Sequence, residues 1–156
     1  MQSIPILTME TVERMMNALE DFVNKSEAMF ALVIDRGGAV FCQHGSIPDS
    51  TDTAVVAALA AGSYAATREL AARVGEAEFS ALHQQGERFQ VLMSSIDDDA
   101  VLVTVFGPTT TLGLVRFYSA RTVKRLAAVL EEARSSPQVR SCLPSQEDVN
   151  QTVFNR

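Results

Sequence analysis

Along residues 8–25 the apolar positions are Val12, Met15, Met16, Leu19, Phe22 and Val23, three and four apart. That spacing lines one side of a 3.6-residue turn, so the segment predicts an amphipathic helix. Thr8 suits its N-cap and Glu10 is well placed in the first turn. The period then shortens. Residues 29–35 and 39–43 are apolar runs flanking Asp35-Arg36-Gly37-Gly38. The glycine pair suits either a phosphate cradle or a tight turn. A cradle would feed into a helix N-terminus, but Ala39-Val40-Phe41-Cys42 follows, β-branched and aromatic. Neither GxGxxG nor GxxxxGK[ST] is present. The stretch therefore predicts a β-hairpin.

Polar residues 46–53 lead into a helix that runs to Arg73, with Gly75 placed to end it. Residues 76–86 (EAEFSALHQQG) suggest a helical turn and then a loop. Strands are expected at 87–96 and 100–106, joined by Asp97-Asp98-Asp99, and a third at 112–118 (LGLVRFY). A helix at 120–134 follows, with Val123, Leu126, Ala127, Leu130 and Ala133 on one face. Pro137 bounds it. Residues 138–144 resemble a linker, and 145–154 suit a short helix capped by Ser145. The order predicts an α+β sandwich: a five-stranded, mostly antiparallel sheet with helices packed on it. Residues 1–136 are expected to form the domain and 137–156 a flexible tail with a short docking helix.

The second helix, 54–74 (AVVAALAAGSYAATRELAARV), has two faces of different character. Val55, Leu59, Gly62, Ala66, Leu70 and Val74 are assigned to the sheet. Ala57, Ala61, Ala65, Arg68 and Ala72 make a second face of almost uniformly small side chains. Gly62 inside a helix costs about 1 kcal/mol relative to alanine, and close approach of another backbone is the usual offset. The alanines are either good helix formers on a solvated face or a seat for another helix or partner protein. With hardly any lysine or glutamate among them, the seat is favoured.

Composition narrows the function. The chain has 156 residues, 47% apolar and 21% charged, with net charge −6, which suits one globular domain. No block of lysines and arginines marks a nucleic-acid or anionic-membrane partner. The first residues (MQSIPILTM) do not read as a secretory signal, and Arg68, Glu69 and Arg73 interrupt the most apolar helix. Cys42 and Cys142 make neither a disulfide framework nor a metal-ligand spacing, so a reduced, cytoplasmic setting is expected. His44 and His83 lack ligand spacing. Cys42, in an apolar strand, reads as an inert thiol. The aspartate triplet reads as solvated, with no EF-hand spacing. No catalytic constellation, metal or cofactor site is expected.

The runs ALVIDRGGAV (31–40), LAAGSYAATRELAARVGEAEF (59–79), HQQGERFQVLMSSIDDDAVLVTVF (83–106) and LGLVRF (112–117), in that order, resemble the roadblock/dynein light-chain family, in particular its bacterial MglB-type members. The segment SQEDVNQTVF (145–154) resembles their acidic C-terminal segment. The resemblance implies a homodimer in which the central helices and the strands after them pair, with Gly62, Tyr64, Phe89, Val91 and Met93 at the dimer interface. It implies a small Ras-like GTPase of the MglA type as partner, met by Ala57, Ala61, Ala65, Arg68 and Ala72. Two subunits would bind one GTPase and speed its hydrolysis by repositioning its switch region, donating no catalytic residue. The alternative is a non-catalytic scaffold. Val149, Val153 and Phe154 would anchor the tail on the GTPase.

Overall fold

The computed structural model describes residues 7–135. The chain runs α1 (Met9–Ser26), β1 (Phe30–Asp35), β2 (Val40–Gly45), α2 (Thr53–Val74), β3 (Ala81–Gln85), β4 (Gln90–Ser95), β5 (Ala100–Phe106) and α3 (Leu112–Ser135). The strands form one sheet in the order β2-β1-β5-β4-β3, every pairing antiparallel. This is the expected α+β sandwich. The expected tail, 137–156, lies outside the described residues.

Local chemistry sets the boundaries. The Thr8 hydroxyl accepts the Thr11 N–H at the start of α1, and the Asp52 carboxylate accepts from Ala54 and Val55 at the start of α2. Gly75 ends α2 in the left-handed region, its N–H donating to the carbonyls of Ala71 and Ala72. At the β1–β2 turn the Asp35 carboxylate accepts the Ala39 N–H at 2.8 Å. Gly38 has φ +92°, and a Cβ there would lie 2.9 Å from the Ala58 Cα. The glycine is needed for the turn and for the close passage of α2, and the hairpin reading of the pair holds.

Two expectations are corrected. Leu112–Tyr118 is the start of α3, not a strand. The Thr111 hydroxyl accepts the Leu114 N–H at 3.2 Å and opens the helix. Val115, Ser119, Thr122, Leu126, Leu130 and Ala133 then form one buried stripe across the whole element, a period visible only over the longer window. The fifth strand is instead β3, inside the segment read as a turn and loop. Its polar run acquires strand geometry from its register with β4, Leu82 opposite Met93 and Gln84 opposite Val91.

The sheet has a core on each side. On one, Met15, Leu19 and Phe22 of α1 meet Leu126 and Leu130 of α3 over Val33, Leu92, Leu102 and Phe106. On the other, Ala57, Ala60, Ala61 and Tyr64 of α2 pack on Leu32, Ile34, Met93, Val101 and Val103. The aspartate triplet is not simply solvated: Arg134 pairs with Asp97 at 3.1 Å and Asp99 at 3.2 Å, tying α3 to the β4–β5 turn.

Candidate protein-interaction surface

Helix α2 is built inside out. Its buried side is alanine and one tyrosine: Ala57, Ala60, Ala61, Tyr64 and Ala71. Small side chains let the helix lie close on the sheet. Its larger aliphatics point away, with Val55 52%, Leu59 68%, Leu70 55% and Val74 61% exposed. They form one outward ridge with Gly62 and Ala66, also exposed. A Cβ on Gly62 would meet nothing within 4 Å, so no contact among the described residues offsets its helix cost.

This inverts the expected faces. The ridge assigned to the sheet is the free surface. Of the proposed contact face, Ala57 and Ala61 are buried beneath the helix and unavailable as drawn. Ala65, Arg68 and Ala72 are exposed along the flank between buried side and ridge, and Ala58, which the sequence reading passed over, joins them. Among the residues expected at a dimer interface, Gly62 is on the ridge and Phe89 is 45% exposed, whereas Tyr64 and Met93 belong to the chain's own core. Val91 is half-buried. Val55, Leu59, Leu70 and Val74 were misassigned because large apolar residues normally point inward.

The sheet beneath α2 is only partly roofed. The helix packs on β1 and β2, while Leu82 of β3, Val91 of β4 and Val105 of β5 border the same core half-buried. β3 is one of the two outer strands of the sheet, its second edge unpaired among the described residues. An aliphatic ridge and a half-covered sheet therefore share the α2 face, which the edge of β3 bounds. Scattered apolar side chains are ordinary on a surface, but a contiguous patch marks a contact site.

Polar chemistry beside α2 fixes its C-terminal end. One oxygen of the Glu78 carboxylate is 3.2 Å from an Arg36 nitrogen, and 3.4 Å from each of the Tyr64 and Ser95 hydroxyls. The Arg36 guanidinium stacks over the Tyr64 ring at 5.4 Å, and Tyr64 donates to the Phe79 carbonyl at 3.1 Å. Burial pushes the Tyr64 phenol above its ordinary range. Arg68 Nε stands 4.0 Å from the same Glu78 carboxylate and stays 44% exposed, so its guanidinium is tethered at the rim of the flank. No three His, Cys, Asp or Glu side chains among the described residues gather as a metal site, and none of the described helices is long and apolar enough to cross a membrane. His83 hydrogen-bonds Gln90 at 2.8 Å and stacks on Phe106. Cys42 is buried, which pushes its thiol up to about 12.

Residues 16–106, from within α1 to the end of β5, match the model of the Roadblock/LC7 domain. The chain belongs to the Roadblock/LC7 family. A comparison with curated protein sequences finds no match. Among solved structures, MglB with a tetrameric arrangement is 33% identical, covers 85% of this chain and 99% of its own, and has a TM-score of 0.79. The gliding protein MglB of Thermus thermophilus is 34% identical over the same shares, with a TM-score of 0.78. Myxococcus xanthus MglB is 26% identical, covers 82% of this chain and 96% of its own, and has a TM-score of 0.76. This Roadblock/LC7 chain thus shares the fold of MglB structures over most of its length, including α3, which lies beyond the family model.

Proposed function

We propose that this chain is a homodimeric, non-catalytic regulator that accelerates GTP hydrolysis by a small Ras-like GTPase of the MglA type. The single observation that carries the reading is the inverted α2, in a chain 26–34% identical to MglB structures. The outward ridge and the open β3 edge suit a second copy of the same surface, since a two-fold contact needs one patch that complements itself. Pairing would cover Val55, Leu59, Leu70 and Val74 and bring Gly62 against the partner's backbone. Phe89 and Val91 remain in the proposed interface; Tyr64 and Met93 support it from below.

The flank left beside the paired helices (Ala58, Ala65, Arg68 and Ala72) is the proposed GTPase seat. Its small side chains permit close approach of a foreign loop. Phosphoryl transfer is governed largely by positioning and electrostatics. A surface that binds only the productive switch conformation shifts that equilibrium by its differential affinity, and about 5.5 kcal/mol takes a loop from mostly wrong to mostly right. No group of this chain need enter the GTPase site.

The test is GTP turnover by a Ras-like GTPase with and without the protein. Acceleration by wild type, lost in A65R and A72R while the dimer persists, is expected. Binding that ignores the bound nucleotide, without acceleration, would indicate the scaffold reading. R68A distinguishes an arginine supplied in trans: full residual stimulation is expected, and near-complete loss at unchanged affinity would make Arg68 the catalytic donor.

A further inference from the structure

On the opposite side of the sheet from α2, α3 packs against β4. Between α3 and edge strand β3 runs a groove of about 420 Å³. Its floor holds Leu92, Ala120 and Val123; Arg116 and Lys124 stand on its α3 rim. Both cations are exposed, and no carboxylate among the described residues lies within 4.0 Å of either. In a chain with 19 acidic against 13 basic side chains, an unpaired basic rim over an apolar floor asks for an acidic, apolar occupant.

We infer that this groove holds residues 145–154 of the same chain. That segment, SQEDVNQTVF, has the required chemistry: Glu147 and Asp148 precede Val149, Val153 and Phe154. Val149 and Val153 are four apart, so a short helix presents both on one face, with Phe154 on the flank of that face. Chain length permits the return. Ser135 ends α3, 11 residues past Lys124, or about 16 Å of helix axis. Residues 136–146 span up to about 36 Å when extended. Running antiparallel to α3, the segment sets its carboxylates near Lys124 and carries its apolar residues over Val123, Ala120 and Leu92 towards Arg116. Docking there needs no GTPase. The tail's anchors are thus held on the sheet side that α2 does not use.

The experiment places a nitroxide at the tail of the full-length protein, in C142S/N155C; Cys42 stays unlabelled because it is buried and its thiol is held protonated. Amide spectra are recorded with the label oxidised and reduced. The expected result is attenuation strongest at the groove, at Ser80, Leu92, Ala120 and Val123, and falling away with distance from it. In R116E/K124E the docked-to-free ratio falls about tenfold, because Lys124 loses its pairing with Glu147 and Asp148 and the rim as a whole then repels the segment's net negative charge, with an unchanged melting temperature. V153D/F154D removes the attenuation as well. An attenuation maximum elsewhere, even attenuation over the whole surface, or indifference to R116E/K124E overturns the assignment. So does attenuation seen only on unlabelled molecules mixed with nitroxide-bearing ones, which would assign the groove to a second copy's tail.

Discussion

The two sides of the sheet are roofed by opposite rules. On the α1–α3 side the bulk faces inward: Met15, Leu19, Phe22, Leu126 and Leu130 are fully buried. On the α2 side the inward residues are alanines and Tyr64, and the aliphatic bulk faces out. The first roof is complete within one chain. The second leaves its ridge uncovered within the chain. Helices α1 and α3 are therefore held by their own core, whereas α2 leaves its apolar area exposed.

The comparison breaks most readily at a residue on each side. F22A should cost about 3–5 kcal/mol through the lost burial and the cavity left behind, read as a large fall in the denaturant midpoint. L59A should leave the unfolding of a dilute, dissociated chain within about 0.5 kcal/mol of wild type. Equal losses at both positions would mean that the ridge is core. Where α2 passes the β1–β2 turn, G38A forces a side chain to φ +92° and against Ala58, and about 1–3 kcal/mol of stability should disappear. A midpoint within error of wild type would remove the close passage from the account.

Cys42 gives a pH-dependent probe of the complete roof, where it borders the α1–α3 core. Burial pushes its thiol up to about 12, whereas an unfolded thiol titrates near 8.5. The native state thus keeps a proton that the unfolded chain releases. Stability is whole below about pH 8.5 and is lost as pH rises towards 12, by about 1–2 kcal/mol at pH 10. C42A should flatten that part of the slope; an unaltered slope would show that the thiol is hydrated. The smallest effect is expected at the exposed Arg14–Glu132 pair joining α1 to α3. Arg14 holds the Glu132 carboxyl below its usual range, a contribution present above the carboxylate range and lost as pH falls through it. R14A should move the neutral-pH midpoint little, and a large shift would mean that the α1–α3 roof depends on charge.

The sequence made most of the fold legible. The three-four spacing of α1, the turn at Gly37-Gly38 and the stop at Gly75 are local features, and each stands where it was read. Residues 112–118 misled because a short apolar run has no period of its own; only the stripe from Val115 to Ala133 shows the helix. β3 was invisible because Leu82, His83, Gln84 and Gln85 owe their strand to β4. The burial of α2 was half legible. Gly62 and the small flank residues stood out, but the two faces of α2 were exchanged, since inward bulk is a rule for chains that complete their own core.

What covers the outward ridge of α2 decides the account. Sedimentation equilibrium of wild type and L59D/L70D across a concentration series measures it directly. The account predicts a dimer for wild type, a dissociation constant raised at least about 100-fold in the variant, and an unchanged melting profile for the variant monomer. A monomeric wild type, or a variant that dimerises as tightly as wild type, would contradict it.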